Sequence, residues 1–207
     1  MPNPSQDISG NPSIALDANK KAALGQGGLN IDYRGRDNCP YGEEATKDKE
    51  DFIGLVIHHT DNDHDTDWYV NYQFTFDKER DGHFGYHFYI SPKGKVIQGA
   101  PLTVRTNHVK RSDREERKKN EYLEFQNKNT IGISCVGAGD DKTGTSNPTQ
   151  LQKQAVYNLA FSLCKYYGIS FDKVAGHSEL QTDRGDSEGK ELAKKIRSWF
   201  SPAKLGV

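Results

Sequence analysis

FIGLVIHHT, residues Phe52–Thr60, decides how this chain is read. Six of its first seven residues are apolar or glycine, with β-branched and aromatic types among them, as in a strand buried on both faces. It ends in two adjacent histidines. Side chains alternate faces along a strand, so one of His58 and His59 points where the other does not. A ligand-type residue at the end of a buried strand lies at a sheet edge, where open α/β sheets place their sites.

Outward from that strand the pattern repeats. Thr130–Val136 (TIGISCV) is a second buried strand, closed by Gly137 and Gly139. Between the two, Tyr86–Ile90 alternates, Ser91-Pro92-Lys93-Gly94 turns, and Lys95–Gly99 returns, which predicts a hairpin. Asp65-Thr66-Asp67 offers N-caps for a helix from about Trp68 to Arg80. Thr149 and Gln152 form a capping box for a helix running to about Tyr167. Its buried stripe is Leu151, Ala155, Val156, Leu159, Leu163 and Tyr166, and Gly168 is its C-cap. Phe171–Ala175 reads as a short strand entering Gly176-His177-Ser178-Glu179, and Glu191–Phe200 as a terminal helix. This order predicts an α/β fold, a mixed central β-sheet flanked by helices. The mixed-sign stretch from Lys110 to Lys128 reads as a solvated, helix-forming insertion.

Residues 1–48 are polar and have no sustained period, with one or two helical turns over Asp17–Leu24 and a short strand at Leu29–Tyr33 the elements they suggest. They read as an N-terminal extension, either packed on the core or mobile, or an adaptor; residues 49–207 form the domain. The formal net charge of -1 leaves no basic field for nucleic acid. No apolar run approaches membrane-spanning length, so membrane insertion is not expected. The N-terminus lacks the basic and apolar regions of a signal peptide, which implies synthesis in the cytoplasm. Cys39, Cys135 and Cys164 contain no CxxC pair and read as reduced thiols. A monomer is expected.

Three histidines fall at or just beyond strand ends: His58, His108 and His177. A polar loop after the last carries Asp183 and Asp186. Imidazole nitrogens with a carboxylate suit Zn²⁺, and three protein ligands leave a fourth position for water. The acidic loop Asp61–Asp67 lacks the ligand spacing and glycine of an EF-hand and reads as solvated.

The ordered set of segments resembles the zinc-dependent N-acetylmuramoyl-L-alanine amidases of type 2, a family that includes peptidoglycan recognition proteins and amidase-type phage lysozymes. The matching pieces are VIHHT (Val56–Thr60), GYHFYISPKGKVIQG (Gly85–Gly99), Asn107-His108, TIGISCVG (Thr130–Gly137) and GHSE (Gly176–Glu179). They cover about Phe52 to Trp199. The resemblance implies zinc ligands at His58, His108 and His177, with a closing carboxylate at Asp186, nine residues beyond His177. The loop departs from the family's basic-x-Asp-Pro-Gly segment, with Ser-Glu in place of Pro, which leaves Asp183 as an alternative. The resemblance also implies catalytic roles for Tyr86 and Arg184. The glutamate that a related branch carries in the IGI-x strand is replaced here by Ser134.

What the resemblance implies is a zinc amidase that cleaves the bond between N-acetylmuramic acid and L-alanine in peptidoglycan. Zn²⁺ would activate a water, Tyr86 would assist that water or the oxyanion, and Arg184 would stabilise the developing charge on the tetrahedral oxygen. Arginine cannot serve as the base at neutral pH. Glu179 is a candidate for orienting a ligand histidine. The rival reading is a non-catalytic peptidoglycan-binding protein on the same fold; a metal-dependent nuclease fits poorly with the charge. The setting would be a phage lysin, a virion-associated hydrolase or an antibacterial effector, reaching the cell wall after release by a holin, a secretion machine or a virion.

Overall fold

The computed structural model describes residues 31–33, 52–60, 85–100, 102, 105–109, 122–137, 148–181 and 188–199. Among the described residues six strands form one sheet: β1 (Ile31–Tyr33), β2 (Gly54–His59), β3 (Phe88–Ile90), β4 (Val96–Gln98), β5 (Thr130–Cys135) and β6 (Val174–Gly176). Their spatial order is β1-β4-β3-β5-β2-β6. β2 lies between two parallel neighbours, with Gly54 opposite Thr130 on β5 and Leu55 opposite Val174 on β6. Such a position explains its unbroken apolar run, because Leu55, Val56 and Ile57 are all fully buried. β3 is parallel to β5, whereas β4 returns antiparallel to β3. The turn between β3 and β4 requires Gly94, which has φ 76° and donates its N–H to the Ser91 carbonyl at 2.8 Å. β1, from the N-terminal segment, adds in parallel to β4, with Ile31 buried. The sheet is therefore mixed, as expected.

Strand alternation divides the core. On one face Leu55, Ile57, Ile131 and Ile133 pack against α1 (Gln150–Tyr167) and α3 (Lys190–Trp199) through Val156, Leu159, Leu163, Leu192 and Ile196. On the other face Val56 packs with Val109, Tyr122, Phe125, Ala175 and Leu180. His58 follows Val56 by two residues and so shares this second face.

α1 starts as its capping box predicts: Thr149 Oγ1 accepts the Gln152 N–H, and Gln152 Oε1 accepts the Thr149 N–H. Gly168 closes it at φ 67°. One residue of the predicted stripe is misplaced. Leu151 is 60% exposed, because Gln152 is the residue drawn inward, donating to the carbonyls of Ile90 and Val136. A neighbour one step around the helix must then face outward. The strand expected at Phe171–Ala175 is split into a 3₁₀ turn, Phe171–Lys173, and β6. The last helix begins at Lys190, and a four-residue helix, α2 (His177–Leu180), was not anticipated. The helix expected over Trp68–Arg80 lies outside the described residues, as do 110–121; Tyr122–Asn129 is a run of turns. Cys135 and Cys164 are buried free thiols, each pushed up to about 12 by burial, and Cys39 lies outside the described residues. No helix among the described residues is long and apolar enough to cross a membrane.

Candidate metal centre

Two glycines bring the site together. β2 delivers His58, fully buried, one residue beyond Ile57. Gly189 is pressed onto that neighbour: a Cβ there would lie 1.9 Å from the Ile57 carbonyl oxygen, and its φ of 72° is left-handed. The chain crossing β2 at Gly189 therefore carries Glu188 to the side of His58. At the end of β6, a Cβ on Gly176 would meet the Lys190 nitrogen at 2.3 Å. This close approach sets His177, the first residue of α2, against the same crossing, and the Ser178 N–H donates to the Glu188 carbonyl at 3.1 Å.

Three side chains converge as a result. His58 Nδ1 lies 3.0 Å from His177 Nδ1 and 3.2 Å from Glu188 Oε1, and His177 Nδ1 lies 3.0 Å from the same oxygen. Tetrahedral zinc with Zn–N near 2.0–2.1 Å holds neighbouring ligand atoms about 3.3 Å apart, so this triangle has the size that such an ion requires. Burial pushes the Glu188 carboxyl up, but hydrogen bonds from His177 and His58, with their charge, outweigh it and hold it well below the usual carboxylate range. Two imidazole nitrogens and one ionised carboxylate fit Zn²⁺ in charge and donor type and leave a fourth position open.

His108 is adjacent but sits behind His58 rather than in the triangle. Its Nδ1 is 3.2 Å from His58 Nε2, the nitrogen turned away from Glu188, and its Nε2 is 3.2 Å from the Thr130 carbonyl. Asn127 Oδ1 accepts the backbone N–H groups of His108 and Val109 at 3.0 and 2.6 Å and fixes the loop. Burial, and then the neighbouring His58 and His87, keep the His108 pKa well below its ordinary value. Tyr86 is half-buried, with its ring centroid 4.8 Å from that of His58.

Glu179 orients the backbone just ahead of His177. Its carboxylate accepts the Gly176 N–H at 3.0 Å and both guanidinium nitrogens of Arg197 at 2.9 Å. Arg197 also donates to the Val174 carbonyl at 2.6 Å, joining α3 to β6. His87 is structural: its Nδ1 accepts the Gly132 N–H at 3.1 Å, and its own N–H donates to the Gly132 carbonyl.

Of the residues expected from the sequence, His58 and His177 meet directly, with His108 and Tyr86 beside His58. Asp183, Arg184, Asp186 and the Asp61–Asp67 loop lie outside the described residues. Glu188 escaped the sequence reading. Its signal was Gly189, a glycine forced by contact with a strand far away in the chain.

Known proteins share the sequence pattern and the fold. The sequence model of the N-acetylmuramoyl-L-alanine amidase family matches residues 48–190. The fold is similar to that of the endolysin N-acetylmuramoyl-L-alanine amidase LysCS from Clostridium intestinale, with TM-score 0.54 and 20% identity over 86% of this chain and 95% of that one. It is also similar to the Ph2119 endolysin from the Thermus scotoductus bacteriophage Ph2119, with TM-score 0.55 and 20% identity over 80% and 98%. Drosophila peptidoglycan recognition protein SA gives TM-score 0.55 and 15% identity over 83% and 92%. No curated protein matches the chain by sequence.

Proposed function

We propose that this chain, which belongs to the N-acetylmuramoyl-L-alanine amidase family, is a zinc-dependent peptidoglycan hydrolase that cleaves the amide between N-acetylmuramic acid and L-alanine. The observation that carries this reading is the convergence of His58, His177 and Glu188 on one point. These three residues would hold the metal. Asp186, the carboxylate implied by resemblance, stands two residues before Glu188 in the sequence and is the competing third ligand. When bound, zinc would polarise the scissile carbonyl and lower the pKa of a water.

The chain's own residues supply the rest. Burial of His58 and His177 keeps bulk water from competing for the ligand atoms. The Tyr86 hydroxyl would donate a hydrogen bond to the oxygen that becomes negative as the carbonyl turns tetrahedral, and Arg184 would add positive charge to that oxygen. Glu188 balances one positive charge at the site. Residues 1–48 remain an extension in this proposal, and the monomer would reach the cell wall after release by a holin, a secretion machine or a virion.

Mass spectrometry of peptidoglycan treated with the purified, zinc-loaded protein tests the reading. The expected products are stem peptides with a free N-terminal alanine and glycan strands with free lactyl carboxylates, both lost on chelation. Peptidoglycan that is bound but left intact by the zinc-loaded protein would establish the non-catalytic alternative instead.

A further inference from the structure

We propose that Tyr89 is a positioning residue for Tyr86: its phenol fixes the backbone from which the Tyr86 ring reaches across the sheet to His58. The proposal rests on the amidase reading above, which gives the Tyr86 hydroxyl its role. It adds a residue that neither the sequence motifs nor the triangle of His58, His177 and Glu188 singles out.

Strand register makes the reach possible. Tyr89 on β3, Ser134 on β5 and His58 on β2 are paired neighbours in one row across the sheet. Paired residues point to the same side, so all three share the face that carries the candidate site. Strands lie about 4.8 Å apart, which sets the outer two members of the row about 10 Å from each other. The Tyr86 ring lies 4.8 Å from the His58 ring and 5.6 Å from the Tyr89 ring, centroid to centroid. It therefore bridges the row above Ser134, the small member, whose buried hydroxyl has no hydrogen-bond partner among the described residues.

Tyr86 stands two residues ahead of β3, so the strand itself does not set its backbone. Tyr89 supplies the restraint. The Tyr86 N–H donates to the Tyr89 hydroxyl oxygen at 3.3 Å. To reach it, the Tyr89 side chain folds back toward the start of β3 and lies over Gly99, where a Cβ would come within 2.5 Å of Tyr89 Cε2. Gly99 is opposite that start, since its N–H donates to the His87 carbonyl at 2.9 Å. Gly99 is thus required for space and not for an unusual backbone angle.

Tyr89 is fully buried and packs with Ile97 and Val136. Its oxygen carries that rigidity three residues upstream. Phenylalanine at 89 would fill the same space, so the restraint on Tyr86 resides in the hydroxyl. A catalytic group misplaced by about 1 Å can lose about 100-fold in rate. Tyr89 thereby acts on turnover without touching substrate.

The test follows amide hydrogen exchange by NMR in the full chain. In Tyr89→Phe the Tyr86 amide should exchange about tenfold faster, as expected for one lost hydrogen bond. The amides of His87 and Gly99, bonded to the carbonyls of Gly132 and His87, should keep their protection. Gly99→Ala, which pushes the Tyr89 ring from the β4 side, should speed exchange of the same Tyr86 amide. On peptidoglycan, Tyr89→Phe should lower kcat by about 10–100-fold with KM and zinc affinity unchanged. It should add nothing further in a Tyr86→Phe background, because both changes remove one and the same contribution. Equal exchange of the Tyr86 amide in wild type and Tyr89→Phe overturns the proposal. So does a loss of kcat that Tyr89→Phe repeats in full on Tyr86→Phe. The exchange measurement involves no substrate, so faster exchange confined to Tyr86 in a protein that leaves peptidoglycan intact would refute the amidase reading and leave Tyr89 as the residue that positions Tyr86.

Discussion

Tyr86 is held beside His58 by packing, with its ring also edge-on to Tyr89 at 5.6 Å. Tyr86→Phe keeps those ring contacts and removes only the hydroxyl. It should retain zinc and lose about 10²–10³ in kcat, read from the rate of peptide release; turnover at the wild-type rate would end the assigned role. The third ligand is decided by two further variants. Glu188→Gln should weaken zinc by at least about tenfold and abolish cleavage, whereas Asp186→Asn should keep the metal. The opposite result returns the ligand to Asp186. That His58 and His59 face opposite ways was legible from alternation along β2, but β2 is buried on both faces, so the choice of His58 came from the family resemblance and not from the strand pattern. Glu188 was not legible, since its position comes from backbone contact between Gly189 and Ile57, and no local pattern encodes such a contact. For His108, proximity to the site could be read, but which nitrogen faces which partner depends on the space left at Gly132, where a Cβ would lie 2.8 Å from His108 Cγ.

At the scale of elements, the segment that presents His177 is clamped from α3. Glu179 is nearly fully buried and pairs with Arg197, which is only partly exposed. Removing one partner of such a pair leaves a buried charge uncompensated. Arg197→Met should therefore cost about 3 kcal/mol in urea unfolding and should also weaken zinc binding, because Glu179 holds the Gly176 N–H directly ahead of His177, a proposed ligand. Unchanged stability would mean that the carboxylate is otherwise compensated. Helix α1 was legible almost to the residue, since its capping box and C-terminal glycine are local signals. The exposure of Leu151 was not, because polarity gave no hint that Gln152 would turn inward to satisfy two strand-end carbonyls. β6 was overestimated in length for a similar reason: apolar Phe171 belongs to the turn that precedes it.

For the molecule as a whole, the proposed ligands draw on β2, the start of α2 and the crossing before α3, so metal binding and folding are coupled. With free zinc at about one hundred times Kd, the native state gains about 2.7 kcal/mol. For a chain of this size that corresponds to a rise of about 5–10 °C in Tm, measured by calorimetry with and without a chelator. No shift on zinc addition would show that the three groups do not take the ion. The sheet carries a separate consequence. The family match begins at residue 48, yet the outermost strand, Ile31–Tyr33, comes from before it and pairs with Val96–Gln98. A chain shortened to the homologous portion would retain its site but leave the amides and carbonyls along that side of β4 unpaired, ready to template association with a second molecule. Sedimentation should then find concentration-dependent self-association in the shortened protein and none in the full chain, so the limit of homology and the limit of colloidal solubility fall at different residues.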